Sequence, residues 1–133
     1  MRHFASLVLA ASLLLLQGCP ATMHAFLFNS SPESVVVSSY GQSQTVEPGE
    51  TERLVAQPGA GPISWQVHQG QHTRAYSASF SPPAEFMRIG IFSTSIRVSI
   101  DENGKFWLLR PRPDKSTQPV SPQPPGFPIV PSG

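Results

Sequence analysis

The sequence predicts an all-β protein: a small antiparallel β-sandwich of about seven to eight short strands, immunoglobulin-like or similar, spanning residues 25–110. Three observations predict it. Along most of this stretch apolar residues alternate with polar or small ones at a period of two, which puts every second side chain on one face of a strand. Turn signals separate the alternating runs at close intervals, among them Pro48-Gly49, Pro58-Gly59 and Asn103-Gly104. No part of the stretch sustains a helical period. A strand with one apolar face needs an opposing sheet about 10 Å away, which favours a sandwich over a small barrel. The Cys…Trp…Cys spacing of true immunoglobulin domains is absent, so the strand order is left open.

The elements follow in order. Short strands are expected at 25–29, 34–39 and 52–56. Ile63, Trp65 and Val67 then alternate with Ser64, Gln66 and His68, and Arg74, Tyr76, Ala78 and Phe80 alternate with Ala75, Ser77 and Ser79. Pro83-Ala84-Glu85-Phe86 has room for one helical turn. Met87, Ile89 and Ile91 alternate with Arg88, Gly90 and Phe92, and Ile96, Val98 and Ile100 alternate with Arg97 and Ser99. This last run meets residues 105–109 across Asp101-Glu102-Asn103-Gly104, whose Asn-Gly pair is the strongest hairpin signal in the chain. Trp65 and Tyr76 fall on apolar faces and are assigned to the core. Arg53, Arg74, Arg88 and Arg97 each occupy a strand and are expected on outer faces or edges, where they discourage edge-to-edge pairing.

Residues 111–133 read differently. Eight prolines fall in this stretch, with Phe127 its one aromatic. Proline fixes φ and removes a donor, so the tail is expected to be extended or disordered. Fully polyproline-like, it would reach roughly 70 Å.

Ahead of the strands, Met1 and Arg2 open the chain with positive charge, residues 4–16 are apolar or small, and Leu16-Gln17-Gly18-Cys19 follows. This is the pattern of a secretory signal with a small residue at the cut. The apolar run is too short for a spanning helix, which needs about 20 residues. A cysteine directly after the small residue resembles the lipobox of bacterial lipoproteins. The resemblance implies that residues 1–18 are removed and that the Cys19 sulfur carries a diacylglycerol, with its freed amine acylated as well. It also implies the outer membrane, since Pro20 stands where an Asp would signal inner-membrane retention; the domain is expected to face the periplasm, with the cell exterior left open as the other orientation. Each buried CH₂ adds about 0.8 kcal/mol, so two or three chains hold essentially permanently. Cys19 is the sole cysteine, so no disulfide staples the fold. Residues 19–24 are then a short lipidated tether.

The whole chain carries nine Lys and Arg against eight Asp and Glu. Loss of Arg2 with the signal leaves an even balance, which argues against nucleic acid as a partner. Few groups suggest chemistry. His68 and His72 flank an expected turn, but a stable metal site needs a third or fourth ligand. His24 sits beside the anchor and is expected near the lipid headgroups. No Gly-x-Ser-x-Gly elbow and no glycine-rich phosphate loop occurs. Glu47, Glu50 and Glu52, like Asp101 and Glu102, surround turns and read as solvated charge. No catalytic, cofactor-binding or metal-binding residue is therefore expected, and the chain is read as no enzyme.

One feature points to binding. Phe106 and Leu108 alternate with Trp107 and Leu109, so the last strand is apolar on both faces. One face packs on the core; the other is covered by the tail or a partner, or is exposed. Trp107, Leu109 and Phe92 are accordingly the candidate binding surface. Two functional expectations follow. The first is a membrane-anchored, non-enzymatic accessory or adaptor lipoprotein that binds another envelope protein. The alternative is a small ligand- or glycan-binding module tethered to the outer membrane.

Overall fold

The computed structural model describes residues 22–39, 41–56, 63–79, 83–89, 93–111 and 115–132. Residues 1–18, the expected signal, and residues 19–21 of the expected tether lie outside them. Nine strands are described: β1 (Thr22–Asn29), β2 (Val35–Ser39), β3 (Gln42–Val46), β4 (Thr51–Ala56), β5 (Ile63–Gln69), β6 (His72–Ala78), β7 (Arg88–Ile89), β8 (Ser93–Ile100) and β9 (Phe106–Leu108). The one helical turn falls at Ala84–Phe86, as 3₁₀, where the sequence has room for it.

The strands form two sheets, a small β-sandwich as the alternation predicts. One sheet has the order β4-β1-β8-β7, with β9 also paired to β8. β7 and β9 share one edge of β8: Arg88 and Ile89 pair with Ser95 and Thr94, while Phe106, Trp107 and Leu108 pair with Ile100, Ser99 and Val98. The other sheet has the order β3-β2-β5-β6 and is antiparallel throughout. β1 and β8 are parallel, an exception to the expected antiparallel pairing. β1 also starts at Thr22, three residues earlier than expected.

β3 went unexpected because its sequence, Gln-Ser-Gln-Thr-Val, has no apolar alternation; only Val46 is buried. It is an edge strand, strand-paired to β2 alone, so its outer edge demands no apolar residues.

The core lies between the sheets. Leu27, Val35, Val46, Val67, Ile100 and Leu108 are fully buried there. An aromatic triangle ties the sheets together. Trp65 and Tyr76 face each other across β5 and β6 and stack with centroids 5.3 Å apart and planes 7° from parallel. Phe106, from the opposite sheet, sets its ring edge-on to both, 5.7 Å from Trp65 and 5.1 Å from Tyr76. Such pairs contribute about 0.5–1.5 kcal/mol beyond their burial.

The tail expectation changes most. Residues 115–132 are extended but packed: Val120 and Ile129 join the core. Ile129 exchanges both backbone hydrogen bonds with Phe106, each 2.9 Å, and Val120 N–H donates to the Leu108 carbonyl at 3.0 Å. Farther on, Ser132 N–H donates to the Ala75 carbonyl at 2.8 Å. The tail thus runs along the outer edge of β9 in one sheet and reaches β6 in the other. Prolines exclude a regular ladder, yet the two apolar residues between them find the open side of the sandwich.

Arg97 is a second correction. It was expected on an outer face or edge and is on the outer face, but buried. Its guanidinium donates to the carbonyls of Arg110 at 2.9 Å and Ser116 at 3.0 Å, so the chain leaving β9 crosses over it. Five consecutive residues, Ile96 to Ile100, are buried as a result. Arg53 and Arg88 are exposed, and Arg74, half-buried, donates to Gln69 Oε1 at 2.7 Å.

Candidate functional site

At one end of the sandwich a cleft of about 450 Å³ opens between the end of β1, the β8–β9 turn and the tail. Trp107, Asp101, Ser31, Thr117, Gln118 and Pro119 are among the residues lining it. Each wall has a local cause.

The first wall is built on Asn29, the last residue of β1 and completely buried. Its Nδ2 donates to the carbonyls of Glu33 at 2.7 Å and Val46 at 2.9 Å, and its Oδ1 accepts the Ser31 N–H at 2.9 Å. Ser31 Oγ lies 2.6 Å from the same Oδ1. The Asn29 backbone N–H donates to Glu50 and its carbonyl accepts from Gly49. The side-chain amide therefore holds the loop after β1 and β3 in register, the Asn29 backbone holds the turn before β4, and no buried polar atom of the side chain is left alone.

The second wall is the Asp101-Glu102-Asn103-Gly104 turn. Asp101 Oδ1 accepts the N–H groups of Asn103 and Lys105, each at 2.9 Å, an Asx-type turn that fixes the hairpin. Asp101 Oδ2 accepts the indole N–H of Trp107 at 2.9 Å. The Trp107 side chain, half-buried, is thereby set in one orientation against the cleft. Tyr76 supports the turn from the core side, its hydroxyl donating to the Gly104 carbonyl at 2.6 Å. Burial pushes the Tyr76 phenol up to about 12, with Asp101 adding to the rise and Arg74 opposing it.

The third wall is the tail, where Thr117, Gln118 and Pro119 are exposed. Pro119 makes an isolated bridge with Leu109.

The expected binding surface is therefore only partly assembled. Trp107 lines the cleft. Leu109, expected beside it, is 1% exposed because the returning tail covers it. Phe92 lies outside the described residues, as does Cys19. Asp101 and Ser31 were not singled out as site residues. The Asp-x-Asn-Gly spacing signals the turn, but the reach of the same carboxylate to Trp107 depends on the β9 register.

The lining groups present hydroxyls, amides, two aromatic rings (Phe28 and Trp107) and one carboxylate already engaged by three donors. Among the described lining residues there is no imidazole, thiol or amine. His68 and His72 lie on the exposed β5–β6 hairpin, where His68 Nδ1 is 2.8 Å from Thr73 Oγ1. No group of three or more potential metal ligands occurs among the described residues. His24, expected near headgroups, is half-buried within β1, and its Nδ1 is buried without a hydrogen-bond partner.

Compared with known proteins, the chain matches no protein-family model, and no curated protein and no solved structure is significantly similar to it. The fold and the cleft define a class and no more: a small two-sheet β protein with an open cleft of mixed polar and apolar lining at one end of the sandwich.

Proposed function

We propose that this chain is a lipid-anchored envelope protein of non-enzymatic type, held in the outer membrane through Cys19, that acts by binding a small polar ligand or glycan in the Trp107 cleft. The observation that carries the reading is the open cleft of about 450 Å³, with an oriented tryptophan on one side and hydroxyl and amide groups around it. Ligand sites combine apolar and aromatic lining with a few placed polar groups, and this volume is within the usual range for them. A fixed ring offers a flat apolar platform; the exposed Thr117 and Gln118 offer hydrogen bonds.

A protein partner is the second reading, with the chain as accessory or adaptor. That reading rests on the anchor, the compact strand-rich domain, the lack of a catalytic constellation and an extended tail; the tail packs onto the sandwich, and the apolar strip that both readings could use loses Leu109 to burial. The geometry therefore favours the ligand-binding alternative.

One experiment separates them. A photoreactive residue replaces Thr117 at the cleft rim in living cells, and adducts are identified by mass spectrometry. Glycan or small-molecule adducts support the ligand reading, and Trp107→Ala should abolish them. A single recurrent protein adduct would replace it with the adaptor reading.

A further inference from the structure

Strand register places the start of β1, three residue steps after the expected anchor, and one exposed apolar side chain at the same end of one sheet. We propose that this end lies on the membrane surface, with Ile89 in contact with lipid. The proposal rests on the lipid-anchor reading of Cys19.

β1 begins at Thr22, with Thr22 opposite Ser93 and Met23 opposite Thr94 on the parallel β8. β4 returns antiparallel to β1 and ends at Ala56, opposite Met23. From the other side β7 arrives at the same level, with Ile89 opposite Thr94. Thr22, Ala56, Ile89 and Ser93 thus mark one end of the sheet. Ile89 is 68% exposed, and its neighbour Arg88 is exposed too.

A solitary exposed isoleucine is ordinary on a soluble surface. Its position is what gives it meaning here. Cys19 precedes Thr22 by three residue steps, and a chain covers at most about 3.6 Å per step, so their Cα atoms lie within roughly 11 Å of each other. An acylated Cys19 sits where acyl chains meet headgroups. Each headgroup layer is only about 5–8 Å deep, so this end of the sheet is held at or next to it. At that depth the isoleucine side chain meets the acyl boundary and the arginine beside it meets lipid phosphates, the arrangement usual for residues at a membrane interface. A long tether would let the domain tumble; three steps hold one end down.

The same register fixes where the cleft points. Asn29 and Ile100 pair at the far end of β1 and β8, seven residues on, roughly 23 Å away at about 3.3 Å per residue. Asn29, Asp101 and Trp107 therefore open away from the membrane, toward whatever the compartment holds.

The test uses the full lipidated chain in vesicles of phosphatidylethanolamine and phosphatidylglycerol, some headgroups carrying a nitroxide quencher. Lipidation consumes the Cys19 thiol, so a thiol-reactive fluorophore attaches only to an introduced cysteine. Three positions are labelled: Ile89→Cys, Arg88→Cys, which leaves Ile89 in place, and Glu102→Cys in the turn at the far end. Mass spectrometry of each preparation reads the lipid on Cys19. The expected result is loss of most emission at 88 and 89 and full retention at 102. Lipid on Cys19 with equal quenching at all three positions, or none at 88 and 89, overturns the orientation while the anchor reading stands. Absence of lipid from Cys19 overturns the anchor reading and the orientation together.

Discussion

The side-chain amide of Gln123 hydrogen-bonds both backbone groups of Leu108, sharing the carbonyl with the Val120 N–H. Its Oε1 accepts the Leu108 N–H at 2.9 Å, its Nε2 donates to the Leu108 carbonyl at 3.0 Å, and the same Nε2 donates to the Val120 carbonyl at 2.8 Å. Leu108 sits on the outer edge of a three-residue strand, where a partner strand would normally supply one donor and one acceptor. The proline-rich tail supplies one such donor, the Val120 N–H, while the Leu108 N–H is met by the Gln123 side chain. One primary amide, with a donor and an acceptor side by side, reproduces the missing strand at the position where it is needed.

Replacing Gln123 should consequently cost more than a surface substitution. Gln123→Ala leaves the buried Leu108 N–H without its partner, an unsatisfied group worth about 1–3 kcal/mol. Urea denaturation should show that loss, and hydrogen exchange should show reduced protection at the Leu108 amide. Gln123→Glu keeps an acceptor for the Leu108 N–H but sets a carboxylate oxygen against the Leu108 and Val120 carbonyls, so it should not recover the stability that Gln123→Ala loses.

Truncation after Pro111 tests whether the tail belongs to the fold. Val120 and Ile129 are each 7% exposed, and fully burying such a side chain contributes about 1.5–3 kcal/mol. The truncated chain should lose about 3 kcal/mol or more and expose the edge of β9. A tail that is merely a free end would leave the thermal midpoint unchanged. Arg97→Met, which removes the donors to Arg110 and Ser116 while keeping bulk, should speed proteolytic cleavage between residues 110 and 117.

What the sequence made legible follows from these contacts. Period-two runs such as Ile63-Trp65-Val67 and Ile96-Val98-Ile100 report a buried face, so the two-sheet class, the aromatic core pair Trp65–Tyr76 and the Asn103-Gly104 hairpin could all be read locally. β3 carries almost no apolar residue, and its existence depends on pairing to β2, which no local pattern encodes. The tail misled for a related reason: proline content reports the absence of a ladder, not the absence of packing, and Gln123 replaces the ladder with a side chain. Leu109 was offered as surface because its cover comes from Pro119, ten residues later, on a path set by Arg97. The cleft needed all of these at once, since its walls come from the ends of three separate segments.

Gly104 and Gly126 both have positive φ, +76° and +90°, but different surroundings. A Cβ at Gly104 would lie 2.7 Å from the Tyr76 hydroxyl and 2.8 Å from Arg74 Cδ; at Gly126 it would meet nothing within 4 Å. Left-handed backbone alone costs an L-residue about 1–2 kcal/mol, so Gly126→Ala should lose about that. Gly104→Ala should lose more, because it also displaces the hydroxyl that closes the turn beneath Trp107. Melting temperatures of the two variants, measured side by side, check the order.

Tyr76 gives the protein a pH dependence at the alkaline end. Its phenol is 1% exposed and donates to a buried carbonyl. Burial first of all, with Asp101 adding to it, raises its pKa from 10.0 to about 12 against the opposing influence of Arg74. In the unfolded chain the phenol ionises near 10. A folded pKa above the unfolded one means that the contribution to stability is full below pH 10 and is lost as pH rises from about 10 to 12, since the unfolded state gives up the proton first. Absorbance titration of phenolate should show one tyrosine ionising late and cooperatively with unfolding, and Tyr76→Phe should remove that transition. The same variant keeps the ring stacked on Trp65 but leaves the Gly104 carbonyl without its donor, so at neutral pH it should be less stable by about 1–3 kcal/mol. An unchanged neutral-pH stability in Tyr76→Phe would show that water, not the phenol, satisfies that carbonyl.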